Sequence, residues 1–453
     1  MIRRFGRRLD VMFYIVIFCT MFVVFTKIRE SSFQNFQNQI SDYYENDTIQ
    51  ELNAVDAIKS QPQQQQQPVQ PKSIPLKKLL AMKNVEQKIL NEKRYGPVTK
   101  DTIFITIQVH NRIEYLKYLI DSFRNAKDID KSLLIFSHDV YDNNINELIQ
   151  SIDFAMALQI FYPYSIQLYP NIFPGTDSKD CGRDVGKEKA IEMNCINAQY
   201  PDTYGHYRES KFTQMKHHWW WKLNRIFDEL KVTKDLKNFT LLLVEEDHYV
   251  APDFIYIYKL VQRQLPLECP RCNIIALGTY AEKLDSESYN QIEIAPWTTN
   301  LHNMGMSFNK STWLKIRNCA EHFCTYDEYN YDFSLQNINR KCLKEKLFTA
   351  LIRGPRIYHV GECGIHHAKS NCDVNNIIKR IDTDIKSAQK DRFLYPEDLE
   401  IVSTNLRHPT NPLINNGGWA DKRDHCLCLE MTANKKNDEC HKIFPATNDI
   451  NDL

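Results

Sequence analysis

Three stretches of this sequence place reactive groups directly after apolar runs. Glu245-Glu246-Asp247-His248 follows Leu241–Val244. Gln108-Val109-His110-Asn111-Arg112 closes the run that begins at Ile103, and Ser137-His138-Asp139 closes the run Leu133–Phe136. Clustered carboxylates repel one another unless a cation lies among them. Oxygen ligands with an imidazole suit a hard to borderline divalent ion such as Mn²⁺. Such an ion offsets the charge of a nucleoside diphosphate and stabilises its departure. Polar loops follow most strands, so one such end taken alone reads as structural. Three ends matter more, because a parallel sheet would bring them to one edge.

The elements that must position these groups are legible from pattern. Residues 102–110, 132–139, 237–247 and 272–280 read as strands, the first three ending in the polar groups above. Residues 114–126, 144–152 and 253–265 read as amphipathic helices between them. Alternating strands and helices predict an α/β fold, a mostly parallel sheet with helices on both faces. Ligands of such sheets sit beyond the carboxyl ends of the strands. No GxGxxG follows the first strand and no GxxxxGK[ST] occurs, which excludes the dinucleotide-binding and P-loop fingerprints.

Lys+Arg and Asp+Glu both number 57, so nothing in the charge balance points to nucleic acid. Val11–Thr26 is apolar and uncharged, with Arg3, Arg4, Arg7 and Arg8 before it and no small-x-small cleavage pattern after it. It reads as a short membrane anchor whose basic flank stays cytoplasmic, in preference to a cleaved signal peptide. The expected layout is a tail over 1–10, a transmembrane segment over 11–26, a partly disordered lumenal stem over 27–98, a catalytic domain over 99–445 and a C-terminal tail over 446–453. Gln61–Pro71 is too polar to form a core, whereas residues 76–94 carry helical spacing. Cys19 falls in the anchor, and the other twelve cysteines lie between Cys181 and Cys440, an even set that suits disulfides in an oxidising lumen. Cys269-Pro-Arg-Cys272 lacks the second CxxC of a zinc ribbon and reads as a small disulfide loop. Sequons at Asn46, Asn238 and Asn309 fit a lumenal chain.

LLLVEEDHYVAPDF, VHNRIEYLKYLIDS, IFSHD, the stretch from KDCGRD to GHYRESKFTQMKHHWWWKL, CTYDEYNYDFSLQ, RIYHVGECGIHH and NGGWADKRDH occur in this order over roughly residues 100–428. Together they resemble the N-acetylglucosaminyltransferase II family. The resemblance implies a GT-A fold, UDP-GlcNAc as donor and Mn²⁺ as cofactor. It further implies inverting transfer of GlcNAc in β-1,2 linkage to the α-1,6-linked mannose of an N-glycan, on the lumenal side of the Golgi membrane. By the same matching, Asp247 and His359 correspond to the metal ligands and Asp332 to the general base. Gln108, Val109, His110, Asn111, Arg112 and Asp139 correspond to donor-facing loops, and Gln214, Met215, Lys216, His217 and His218 to a further donor-binding segment. Glu245 and Glu246 are expected to shape the site. Read without the family, Asp332 is one helix-surface carboxylate beside Asp327 and Glu328, and His366 and His367 compete with His359. Trp219, Trp220 and Trp221 read as structural support.

The matching also implies the pairs Cys181–Cys195, Cys269–Cys272, Cys319–Cys342, Cys324–Cys428 and Cys363–Cys372, and leaves Cys426 and Cys440, additional to the family set, to pair with each other. Two places depart from the family pattern. Glu362 stands where Asp is expected, and Ala281–Gln291, with Lys283 as its candidate basic contact, does not align. Two further readings compete: a transferase of the same fold with another mannose acceptor, and a membrane-anchored glycan-binding protein without catalysis. A homodimer is compatible with any of them.

Overall fold

The computed structural model describes residues 74–280, 286–361, 374–404, 415–432 and 440. The expected anchor at 11–26, the sequon at Asn46, Lys283, Glu362, His366, His367 and the Cys363–Cys372 pair lie outside them. Among the described residues, no helix is long and apolar enough to cross a membrane.

The strands are β1 (Ile89–Leu90), β2 (Ile103–Val109), β3 (Ser132–His138), β4 (Met156–Phe161), β5 (Thr240–Glu245) and β6 (His248–Val250). They continue as β7 (Ile274–Ala276), β8 (Gln291–Pro296), β9 (Met306–Asn309), β10 (Phe348–Ile352), β11 (Ile357–His359) and β12 (Glu400–Thr404). Ten form one sheet in the order β1-β4-β3-β2-β5-β9-β7-β10-β8-β12, and β6 pairs with β11 in a separate ribbon. The mostly parallel sheet expected from the sequence is found in one half. Strands β4, β3, β2 and β5 run parallel, whereas β9 is antiparallel to both β5 and β7, and β8 is antiparallel to β10. The sheet also begins upstream of residue 99, because β1 adds an antiparallel edge to β4.

The helices that matter here are α1 (Leu76–Glu86), α2 (Ile113–Arg124), α3 (Asn143–Gln150), α4 (Ser210–Asn224), α5 (Phe254–Glu268), α6 (Tyr331–Lys341), α7 (Val374–Lys390) and α8 (Lys422–Glu430). Successive side chains of a strand point to opposite faces, and β2 uses both. Ile103, Ile105, Ile107 and Val109 join a core with α2 and α5, while Phe104 joins a second core with the α4 tryptophans. A strand covered on both faces is buried at nearly every position, and in IFITIQV only Gln108 is partly exposed although Thr106 and Gln108 are polar. Helix α3 starts where its Asp142 cap accepts the Ile145 N–H at 2.9 Å.

Disulfides join Cys181–Cys195, Cys269–Cys272, Cys319–Cys342, Cys324–Cys428 and Cys426–Cys440. The last is the additional pair, and it ties residue 440 to α8.

Candidate active site

Strands β2, β3 and β5 are adjacent and parallel, so their three polar ends meet at one edge. Gln108 is in register with Glu245, and its carbonyl accepts the Glu246 N–H at 3.0 Å. Arg112 spans the edge, donating Nε to Glu246 Oε1 and Nη1 to Asp247 Oδ2, both at 2.8 Å. The His110 N–H donates to Glu246 Oε2 at 2.8 Å, and the His110 ring lies 2.7 Å from Asp139. Burial would raise the Asp139 carboxyl, but bonds from His110 and His218 hold it well below the usual carboxylate range. Asn111 is exposed and Val109 is core. Loop polarity alone would not produce this closed set of bonds from three strands.

Burial likewise works to raise Asp247. The hydrogen bond from His359 and the charge of Arg112 outweigh it and keep the carboxyl ionised. His359 reaches Asp247 because β11 pairs with β6, which sets His359 opposite His248 and brings its Nε2 to 3.1 Å from Asp247 Oδ2. The approach is close enough that a Cβ on Gly361 would fall 2.1 Å from that oxygen. The residues fit a divalent cation on two counts. Asp247 Oδ1 is buried and has no hydrogen-bond partner. Arg112 pairs with Glu246 and Asp247, and Glu245 adds a further carboxylate beside Asp247. Donor atoms of Glu245, Asp247 and His248 lie within 4.8 Å of one another, so His248 stands beside His359 as a second imidazole. Its Nδ1 already receives the Glu245 N–H at 3.2 Å, while His359 is engaged with Asp247 itself.

Asp332 lies in the first turn of α6. It accepts the Phe333 N–H at 2.8 Å and the Asn303 amide at 3.2 Å, and burial pushes its carboxyl up. The neighbouring Tyr331 hydroxyl donates to Glu245 Oε1 at 3.1 Å, and its ring stacks on Trp219 with centroids 4.6 Å apart. That contact brings α6 to the strand edge. Tyr280, half-exposed, donates to Asn303 at 3.1 Å and so orients the amide that meets Asp332. Tyr331 could have been singled out by its place in the motif. Asn303 and Tyr280 carry no pattern in sequence, because their contacts with this region cross 23 and 29 residues of chain.

The α4 segment divides. Gln214 donates to Asp139 at 3.1 Å, and His218 meets Ser137 at 2.8 Å, so both brace the end of β3. His217 turns away toward Asp424, at 3.0 Å. Lys216 donates to the carbonyls of Tyr326 and Glu328. Met215 is half-buried. Lys222, on the same helix and overlooked in the sequence, donates to Gln108 Oε1 at 2.5 Å. Burial lowers its ammonium to about 7 against the pull of Glu245 and Asp139. A cleft of about 520 Å³ opens nearby, lined among others by Asp202, Tyr207, Glu209, Phe212, Tyr329 and Asn416.

A family model for N-acetylglucosaminyltransferase II (MGAT2) matches residues 77–428. The chain belongs to this family. Members of the N-acetylglucosaminyltransferase II family similar to it include the α-1,6-mannosyl-glycoprotein 2-β-N-acetylglucosaminyltransferases of Sus scrofa and Homo sapiens. They are 43% and 41% identical, each alignment covering 76% of both chains. The Arabidopsis thaliana enzyme of that name is 31% identical over 75% of this chain and 77% of its own. Among solved structures, S. aureus TarS 1–349 is similar at a TM-score of 0.31 and 8% identity, covering 57% of this chain and 60% of that one. Those values are too low to bear on the argument.

Proposed function

We propose that this chain is an inverting glycosyltransferase that moves GlcNAc from UDP-GlcNAc, in β-1,2 linkage, to the α-1,6-linked mannose of the N-glycan core. The observation that carries the reading is the Tyr331–Glu245 contact, which joins the acidic strand end to the helix bearing the partly buried carboxylate of Asp332, in a chain over 40% identical to enzymes of that name. In a GT-A arrangement, the loops Gln108–Arg112 and Asp139 face the nucleotide and Glu245 faces the transferred sugar. Asp247 and His359, with Glu245 and His248 close by, would hold Mn²⁺, which when bound offsets the diphosphate charge of the leaving group.

Asp332 takes the proton of the acceptor hydroxyl. The hydroxyl oxygen bonds to the anomeric carbon as the bond to the UDP oxygen breaks on the opposite face, and the configuration inverts. A base with a raised pKa holds that proton better than an ordinary carboxylate does, and burial supplies the shift. The cleft at the start of α4 combines aromatic rings with charged groups of both signs, Arg183 and Lys211 beside Asp202 and Glu209, and we assign other sugars of the acceptor to it. The sequence layout supports a type II Golgi membrane protein anchored by residues 11–26.

The test is direct. Purified protein with Mn²⁺ and UDP-GlcNAc is expected to extend the α-1,6 arm of a GlcNAc-primed trimannosyl N-glycan, with product linkage read by NMR. Transfer only to another mannose acceptor would reassign the substrate, and no transfer to any acceptor in a panel would sink the enzyme reading.

A further inference from the structure

Helix α6, which carries Asp332, starts without a side-chain cap at Asn330. Its start is held by two buried ionisable side chains instead. Glu328 is fully buried and uses both oxygens: Oε1 accepts the Asn330 N–H at 2.7 Å, and Oε2 accepts the Asn416 N–H at 2.7 Å and its side-chain amide at 3.1 Å. Lys216, equally buried, donates Nζ to the carbonyls of Glu328 at 2.8 Å and Tyr326 at 3.2 Å. Its ammonium lies 4.1 Å from the centre of the Trp419 ring. The tie continues through the Tyr329 N–H, which donates to the Gly417 carbonyl at 3.2 Å.

Burying a charge is expensive unless it is paired or fully hydrogen-bonded. Here two buried ionisable side chains, each hydrogen-bonded, hold the backbone of one short segment, residues 326–330. The next two residues are Tyr331, bonded to Glu245, and Asp332. Any shift of the segment therefore moves the carboxylate of Asp332 relative to the acidic strand end.

We infer that Glu328, seated on Lys216, is a positioning residue for Asp332: it fixes the start of α6 and thereby the placement of the base against the donor site. The inference rests on Asp332 being the base. Glu328 touches neither the donor loops nor the Asp247–His359 pair, so its loss acts on turnover and leaves donor binding alone. Misplacing a reacting group by about 1 Å costs on the order of 100-fold in rate.

The experiment compares Glu328→Gln, Lys216→Arg and Asp332→Asn in the full-length protein. Glu328→Gln keeps the shape but turns an amide NH₂ toward an N–H donor. A fall in kcat of roughly 10- to 100-fold is expected, with the donor KM and the Mn²⁺-dependent affinity for UDP by calorimetry within about twofold of wild type. Lys216→Arg, which retains the cation, is the second variant should the first fail to fold, and a smaller loss with the same split is expected. Wild-type kcat in both variants beside an inactive Asp332→Asn would overturn the inference and spare the base. So would parallel loss of kcat and UDP affinity, which marks a general structural role. An active Asp332→Asn would instead remove the base reading on which the inference depends.

Discussion

Asp247 is buried and Asp332 partly buried, and their surroundings push the two carboxylates in opposite directions. Asp332 is raised by burial, opposed only by neutral hydrogen-bond donors such as the Phe333 N–H. Burial also works on Asp247, but His359 and Arg112 overcome it. The two proposed roles differ accordingly, a proton acceptor on one side and a permanent anion for a cation on the other. Asp332→Asn is expected to lower kcat by about 10²- to 10⁴-fold, the usual contribution of a positioned base, with UDP binding intact. A base acts when deprotonated, so kcat/KM should fall as pH drops. With the pKa raised, the acidic limb of the pH–rate profile should lie above the ordinary aspartate value of about 4, and a limb at or below that value would contradict the assignment. Asp247→Asn should remove the Mn²⁺-dependent part of UDP binding in calorimetry. Unchanged dependence on the ion would exclude Asp247 as a ligand.

Helix α4 shows why its segment was hard to interpret residue by residue. A helix reading QMKHHWWWK would ordinarily present a polar face to solvent or ligand, but nearly every residue from Thr213 to Asn224 is buried. Its polar groups must then find partners inside the protein, and Lys216 and His217 find theirs on segments around Glu328 and Asp424. Asp424 of α8 also takes Arg208 Nε at 2.8 Å. Removing one partner of a buried pair strands the other, so Asp424→Asn is expected to cost about 3–5 kcal/mol in urea unfolding; a cost under 1 kcal/mol would show that Arg208 is satisfied by its carbonyl contacts alone. The Asp424 carboxyl, which burial would raise, is held low by Arg208 and His217. A depressed carboxylate contributes stability that is complete above its unfolded value of about 4 and is lost as pH falls below it. Melting curves of wild type should therefore decline below that pH more steeply than those of Asp424→Asn. The Cys324–Cys428 bond holds the same region across 104 residues. Its removal by paired serines should cost about 4–5 kcal/mol on the chain-entropy account, read as a lower denaturation midpoint.

At the scale of the molecule, a ligand that binds only the folded state stabilises it. UDP with Mn²⁺ at about 100 times its Kd should add about 2.7 kcal/mol, visible as a higher Tm that a chelator abolishes. A Tm indifferent to both would deny the edge its proposed ligands. The apolar runs and their polar ends determined the strands β2, β3, β5 and β7, the helices between them and the edge where the site lies, because period and burial are local properties of a chain. Residue types and order within the motifs likewise marked Asp247, His359 and Asp332, and implied four of the disulfide pairs found. Only the tertiary structure decided the rest. The mixed half of the sheet depends on the antiparallel pairings of β9 with β5 and β7 and of β8 with β10, which no local pattern encodes. The inward turn of Lys216 and His217 depends on segments more than a hundred residues away. The same holds for the bonds that Asn303, Tyr331 and Glu328 make around Asp332 and the start of its helix, since a hydrogen bond across the fold leaves no period in the sequence.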